Sequence, residues 1–323
     1  MTHSYIGGID QLPSLTLEGY PLYEVDNVSL ITIENTPKYG WDVTHDPSLS
    51  GEIKEYYLYI DGYYDEGFSH WVFESSFYLP MVAKLREFYP TLKILSFRKK
   101  GYKDCIYKAF DLTENDIVYE IKEKRNKVFF FQGSSLADHT KTEVYMRHVY
   151  RYYNSLISKC DPIQKDISVL YLPRGKKENL AGTDRVIPFQ NEILEMIKSI
   201  ENSYVYYTDS TTNFIDQIRV VRKASVIILD YGSSLLVNGF FAEGSKILVL
   251  GDSTLHLQNL RPLLLLKDSI RRKNDYYYTP NGMSSYLIFH KLRSIIEGRE
   301  SVSKHRSYCW RKCDACKSHE EEF

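Results

Sequence analysis

What this sequence lacks narrows what it can do. It has almost no net charge: 41 Lys+Arg against 42 Asp+Glu leave −1. Without a long-range positive field there is nothing to hold a polyphosphate backbone, which argues against nucleic acid as a partner. It has no apolar run approaching the roughly 18 residues that span a bilayer. The densest stretch, Leu263 to Leu266, is bounded by Arg261 and Lys267, so no integral membrane segment is expected. Met1-Thr2-His3-Ser4-Tyr5-Ile6-Gly7-Gly8 has neither a basic n-region nor an apolar h-region, so no signal peptide is expected and the chain reads as soluble and cytoplasmic. Cysteines number five, and an odd count without a signal peptide argues against a disulfide framework.

Two phosphate-binding signatures are also missing. There is no G-x-G-x-x-G, which counts against a nicotinamide or flavin oxidoreductase. Gly239-Phe240-Phe241-Ala242-Glu243-Gly244-Ser245-Lys246 has the look of a P-loop, but Ser and Lys are in reversed order and the stretch precedes a strand, which excludes the NTPase reading. No Asp-x-Asp pair is present to hold a divalent metal on a diphosphate, so cationic side chains and backbone N–H groups would have to take that part.

What is present suits a folded α/β protein. Hydrophobic residues at 43% and charged residues at 26% are ordinary for chains that bury a core. A length of 323 residues favours two domains. Tyrosine is in excess, 28 residues, with runs at Tyr56-Tyr57, Tyr63-Tyr64, Tyr152-Tyr153 and Tyr276-Tyr277-Tyr278. Two readings are open: sugar-stacking platforms, or compositional bias spread over amphipathic surface, which is the simpler.

Residues 28–33 and 55–60 read as a β-rich preamble. Phe77, Met81, Val82, Leu85 and Phe88 have helical spacing, with Pro80 kinking the helix or marking its first turn. Leu92 to Leu95, Ile117 to Tyr119 and Val128 to Phe131 are short apolar runs suited to a covered sheet. A long amphipathic helix is expected over Thr142 to Ser158, closed by Asp161-Pro162, the candidate domain boundary. Strands then alternate with helices: Ile167 to Tyr171, Asn191 to Ile200, Tyr204 to Tyr207, Asn213 to Lys223, Val226 to Leu229, Ser234 to Phe241 and Lys246 to Leu250. That alternation predicts βαβ units, a parallel sheet and a ligand site at the carboxyl ends of its strands. The expected division is 1–160, an acceptor-side α/β lobe with the preamble; 161–300, a Rossmann-like nucleotide-sugar lobe; and 301–323, a basic tail.

Two segments offer anion-binding chemistry. Asp230-Tyr231-Gly232-Ser233-Ser234-Leu235 follows an apolar strand and opens a helix, so small residues let backbone amides approach an anion at a positive helix terminus. An ordinary tight βα turn would look the same. Arg174, Lys176 and later Arg185 follow a strand's carboxyl end and are either solvated loop charges or phosphate ligands.

Leu170-Tyr171-Leu172-Pro173-Arg174, then Arg185 with Asn191-Glu192, then Ala224 to Ile228, Gly232-Ser233-Ser234-Leu235 and Phe241-Ala242-Glu243-Gly244-Ser245-Lys246-Ile247, together with His70-Trp71-Val72-Phe73-Glu74, resemble in order the motifs of the glycosyltransferase family 61 domain. The likeness extends over residues 55 to 250. It implies a GT-B-like fold of two Rossmann-like lobes with parallel sheets and a cleft between them. It also implies an inverting, metal-independent transfer from a UDP-sugar, of the UDP-xylose or UDP-N-acetylglucosamine type, to a hydroxyl of a glycan acceptor. No cofactor is required beyond the donor. Glu74 would be the base and His70 its orienting partner; without the resemblance the two read as an exposed helix glutamate and a core histidine. Arg174, Lys176, Arg185, Asn191, Asp230, Tyr231, Gly232, Ser233, Ser234 and Leu235 would bind the nucleotide-sugar. The alternatives are a GT-B-like epimerase, a GDP-sugar transferase, or a degenerate nucleotide-binding module.

The tail is a separate matter. Cys309, Cys313 and Cys316, with His305 and His319, offer enough ligands for zinc. Their irregular spacing among Lys304, Arg306, Arg311, Lys312 and Lys317 favours a basic tail with free thiols, and no metal site is expected.

Overall fold

The computed structural model describes residues 15–17, 20–26, 28–32, 41–45, 48–60, 71–96, 101–131, 151–160, 164–173, 189–207, 213–230, 233–250, 274–279 and 284–299. The chain divides into two units, Met1–Lys159 and Cys160–Phe323.

The first unit is built on a six-stranded sheet in the order β1-β2-β8-β5-β6-β7. Its strands are β1 (Leu15–Leu17), β2 (Tyr20–Asp26), β5 (Glu55–Tyr59), β6 (Lys93–Leu95), β7 (Ile117–Val118) and β8 (Asn126–Phe131). β8, β5, β6 and β7 are mutually parallel. The expectation of a parallel sheet therefore holds for four strands only: β1 and β2, which precede the stretches read as a preamble, join antiparallel beside β8, whereas β5, expected in that preamble, lies inside the parallel part. A short connection permits the β1–β2 pairing, whereas β2 and β8 come together from distant parts of the chain. β3 (Val28–Thr32) and β4 (Trp41–His45) form a separate antiparallel pair.

The crossover from β5 to β6 carries a π-helical turn, Trp71–Ser75, a 3-10 turn, Ser76–Tyr78, and α1 (Leu79–Phe88). Pro80 sits in the first turn of α1, where its missing N–H is no loss. α2 (Gly101–Ala109), which the apolar spacing did not announce, links β6 to β7. Residues 151–157 are helical, inside the expected long helix.

Several of the tyrosines prove to be core residues. Tyr57, Tyr107, Tyr152, Tyr153, Tyr276 and Tyr277 are all buried, which corrects the amphipathic-surface reading at those positions. Tyr78 stacks on Phe131 at 4.3 Å, and Trp71 meets Tyr107 edge-on at 5.4 Å. Such rings fill volume that aliphatic side chains would otherwise occupy.

The second unit is one five-stranded sheet, entirely parallel, in the order β10-β9-β11-β12-β13. Its strands are β9 (Ile167–Leu172), β10 (Ser203–Val205), β11 (Ala224–Asp230), β12 (Lys246–Leu250) and β13 (Asp275–Tyr278). In chain order this is 2-1-3-4-5, the doubly wound Rossmann-like arrangement, with the order reversing between β9 and β11. The strands are near-continuous apolar runs because both faces are covered.

One face carries α3 (Gln190–Lys198) and α6 (Ser285–Ile296), whose Ile193, Ile197, Ile288, Leu292 and Ile295 share one buried cluster with Val169, Tyr171, Val226, Ile228 and Leu248. The alternate residues Leu170, Ile227, Leu229, Ile247 and Val249 are equally buried on the other face. α4 (Phe214–Lys223) and α5 (Ser233–Phe241) lie outside the first cluster and pack together through Phe214 and Phe241, with Gln217 Nε2 donating to Asn238 Oδ1 at 2.7 Å. Asn213 caps α4 by accepting from the Ile215 N–H at 3.0 Å, which satisfies a donor the helix cannot. Gly244, at φ +62, turns the chain from α5 into β12 in the left-handed region glycine favours. β13 and α6 lie beyond the stretch in which regular alternation was legible. No helix among the described residues is long and apolar enough to cross a membrane.

Candidate functional site

In a doubly wound sheet, strands that run the same way present their last residues along one edge, and neighbouring crossovers part where the strand order reverses. Here that point is the carboxyl end of β9 and β11. β11 ends in Asp230, a carboxylate only 2% exposed. Tyr171 lies opposite Ile228 in the register, so Asp230, two residues on, is its diagonal neighbour on the same face. The Tyr171 hydroxyl donates to Asp230 Oδ1 at 3.5 Å. Burial, then the adjacent carboxylate, pushes the Tyr171 phenol well above its usual value, so it stays a donor at any ordinary pH. α5 opens at Ser233, three residues after Asp230.

The expected nucleotide-sugar residues distribute as follows. Asp230 stands at the reversal point, and Ser233 and Ser234 form the first turn of α5. Leu235 is fully buried, which leaves its backbone as the part that can meet a ligand. Asn191 is exposed near the start of α3. Arg174, Lys176, Arg185, Tyr231 and Gly232 lie outside the described residues. So do Cys309, Cys313 and Cys316, and among the described residues no group of His, Cys, Asp and Glu could hold a metal ion.

In the first unit the reversal falls between β5 and β8, at Tyr59 and Phe131. The π-helical turn that contains Glu74 stands on the crossover leaving β5, and Tyr78, just beyond it, stacks on Phe131 at the end of β8. π-helical turns are rare and cluster at functional sites. Trp71, Val72, Phe73, Ser75 and Ser76 anchor this turn in the core, with Ser76 Oγ donating to the Val72 carbonyl at 2.8 Å. Glu74 is described in its backbone alone, and His70 lies outside the described residues.

Sequence reasoning passed over one residue at this edge. Lys103, on α2, is 1% exposed, with Nζ 5.4 Å from the Trp71 ring centroid and 3.4 Å from Ser96 Oγ, just past the end of β6. Nothing in Arg98-Lys99-Lys100-Gly101-Tyr102-Lys103 distinguishes it from solvated charge.

Ser245, from the segment Phe241 to Ile247, lies at the opposite, amino edge of the second sheet. Its hydroxyl donates to the Ala224 carbonyl at 2.9 Å and accepts from Lys165 Nζ at 2.8 Å, while its N–H donates to Asn274 Oδ1 at 3.0 Å. That segment therefore ties the starts of neighbouring strands together. Compared with known proteins, the chain matches no family model and no curated protein.

Proposed function

We propose that this chain is an inverting, metal-independent glycosyltransferase of GT-B architecture, related to family 61, that moves a sugar from a UDP-sugar to a hydroxyl of a glycan acceptor. The observation that carries the reading is the carboxyl edge of the second sheet: a buried carboxylate, a phenol locked as a donor, and a helix start all at the point where the strand order reverses. Small residues at the opening of α5 favour close approach of a diphosphate to backbone amides. Arg174 and Lys176, directly following β9 in sequence, and Arg185 supply the charge that stabilises the leaving nucleotide.

Glu74 is the base. It deprotonates the attacking acceptor hydroxyl while the diphosphate departs from the opposite side of the anomeric carbon, which inverts that centre. Its place on the crossover leaving β5, in a turn braced by a buried tryptophan and two buried serines, supports the assignment because a base must be held in position. His70, four residues earlier in sequence, orients it.

Incubation with UDP-xylose or UDP-N-acetylglucosamine and a panel of glycan acceptors is expected to release UDP with an inverted product linkage. Nucleotide binding without release across the panel would reduce the chain to a binding module, and binding of no nucleotide at all would end the reading.

A further inference from the structure

We infer that the shallow groove between the first turns of α3 and α6 is a nucleoside subsite, in which Tyr286 and Phe289 stack on the base and Glu192 accepts hydrogen bonds from the ribose hydroxyls. The inference rests on the nucleotide-sugar reading above and adds to it where the nucleoside half of the donor lies.

The first argument is position. α3 lies between β9 and β10, and α6 follows β13, so each runs back against its strands and has its N-terminal turn at their carboxyl edge. Both helices cover the face that carries Tyr171. Asp230, in register with Val226 and Ile228 along β11, points to that same face. The groove and the Asp230–Tyr171 pair therefore share one face and one edge of the sheet.

The second argument is size and lining. The groove holds ≈ 330 Å³ and is walled by Glu192, Ile193 and Met196 from α3 and by Ser285, Tyr286 and Phe289 from α6. Small-molecule sites run from about 300 to 1,000 Å³ and combine apolar walls with a few polar groups. Tyr286 is 67% exposed, so its ring presents a free face for stacking. His290 meets it edge-on at 4.2 Å and braces its orientation.

The third argument is the unused carboxylate. Glu195, one turn along α3, pairs with Lys198 at 2.7 Å, and Glu297 at the end of α6 pairs with Arg293. Glu192, by contrast, has no hydrogen-bond or ion-pair partner among the described residues. The Glu192 carboxylate beside two aromatic rings is a poor neighbour for a phosphate and offers acceptors that a purely apolar occupant leaves unused. A flat base attached to a vicinal diol satisfies both parts of the wall: the rings stack on its π-face and the carboxylate accepts from the hydroxyls. The same mismatch directs the diphosphate away from Glu192.

Equilibrium titration of the full chain with UDP, GDP and their 2′-deoxy forms tests this. Tyr286→Ala is expected to weaken binding of the preferred nucleotide about tenfold or more, the loss of one stacked ring, with Tyr286→Trp restoring it. Glu192→Ala is expected to abolish the preference for the ribo over the 2′-deoxy form. These positions are on the surface, so an unchanged melting temperature in each variant controls for folding. Wild-type affinity and wild-type ribose preference in Tyr286→Ala and Glu192→Ala would overturn the subsite while leaving the nucleotide-sugar reading intact, as would binding of an acceptor glycan to the groove in place of the nucleotide. Failure of the wild-type protein to bind either nucleotide would overturn both.

Discussion

The hydroxyl of Tyr171 and the carboxylate of Asp230 meet at 3.5 Å across two neighbouring parallel strands, at the one place where the second sheet reverses its order. Both side chains are almost wholly removed from solvent. A phenol next to a buried carboxylate keeps its proton, and the pair presents a polar spot on an otherwise aliphatic sheet face. Tyr171→Phe removes a long hydrogen bond and leaves the ring in place. The expected loss is about 0.5–1 kcal/mol, at the low end for a buried bond because of its length. Urea unfolding of the variant measures it, and a loss above 3 kcal/mol would mean the hydroxyl holds more than this contact.

Glu74→Gln is expected to abolish transfer while nucleotide affinity stays at the wild-type value, because an amide keeps the shape of the side chain and cannot take the acceptor proton. Single-turnover product analysis alongside a nucleotide titration separates the two effects. Full transferase activity in the variant would remove Glu74 as the base.

Transfer is expected to survive EDTA, since side-chain cations and helix-terminal amides are assigned the charge on the leaving diphosphate. Activity lost on chelation and recovered only with manganese would replace that assignment.

Lys165 gives the fold a pH signature. It donates to the Ala224 carbonyl at 2.7 Å and to Ser245 Oγ at 2.8 Å at the amino edge of the second sheet. Burial, then the Arg222 guanidinium, pulls its pKa down to about 8. A free lysine titrates near 10.4, so between about pH 8 and 10.4 the unfolded chain binds more protons at this site and stability rises with pH. Above about pH 10 the trend reverses, because Tyr57, Tyr152 and Tyr171 keep their protons in the folded state only. Denaturation midpoints recorded from pH 7 to 10 should climb in the wild type and be flatter in Lys165→Met. Parallel curves would show that Lys165 titrates as it does in the unfolded chain.

Asn274 pins the start of β13. Its amide donates to the Ala242 carbonyl at 2.9 Å and accepts from the Ser245 N–H at 3.0 Å, and the residue is buried. Asn274→Ala leaves both backbone groups without their partner, at a cost of roughly 2–4 kcal/mol. Chemical denaturation should show it, and a loss below 1 kcal/mol would mean that water replaces the side chain.

Between residues 167 and 250 the elements were legible because each announces itself locally. Val226 to Leu229 is a continuous apolar run, as a strand covered on both faces must be, and α4 begins at its own cap, Asn213. α2 was not read from the sequence, since its buried face of Ile106, Tyr107 and Ala109 is short and is completed one turn earlier by Lys103, a charge that the core buries. β13 was noticed as a run of tyrosines and not as a strand. Of the candidate site, Asp230 and the helix start after it could be found from the strand-to-turn pattern; Glu192, Tyr286 and Phe289 could not be singled out, because each sits in an ordinary amphipathic stretch, and Tyr171 could not, because it sits in a strand buried on both faces.

The sequence by itself determined which segments become strands and helices in the second unit and that its strands run parallel, since apolar runs, caps and intervening helices are short-range properties. The tertiary structure decided the strand order, and with it every functional neighbourhood. The order 2-1-3-4-5 sets β11 beside β9, so that Tyr171 meets Asp230, and lays α6 against α3, so that Tyr286 faces Glu192. It also decided where the tyrosines go: a ring on a strand is core or surface according to what covers that face, which only packing between distant segments supplies.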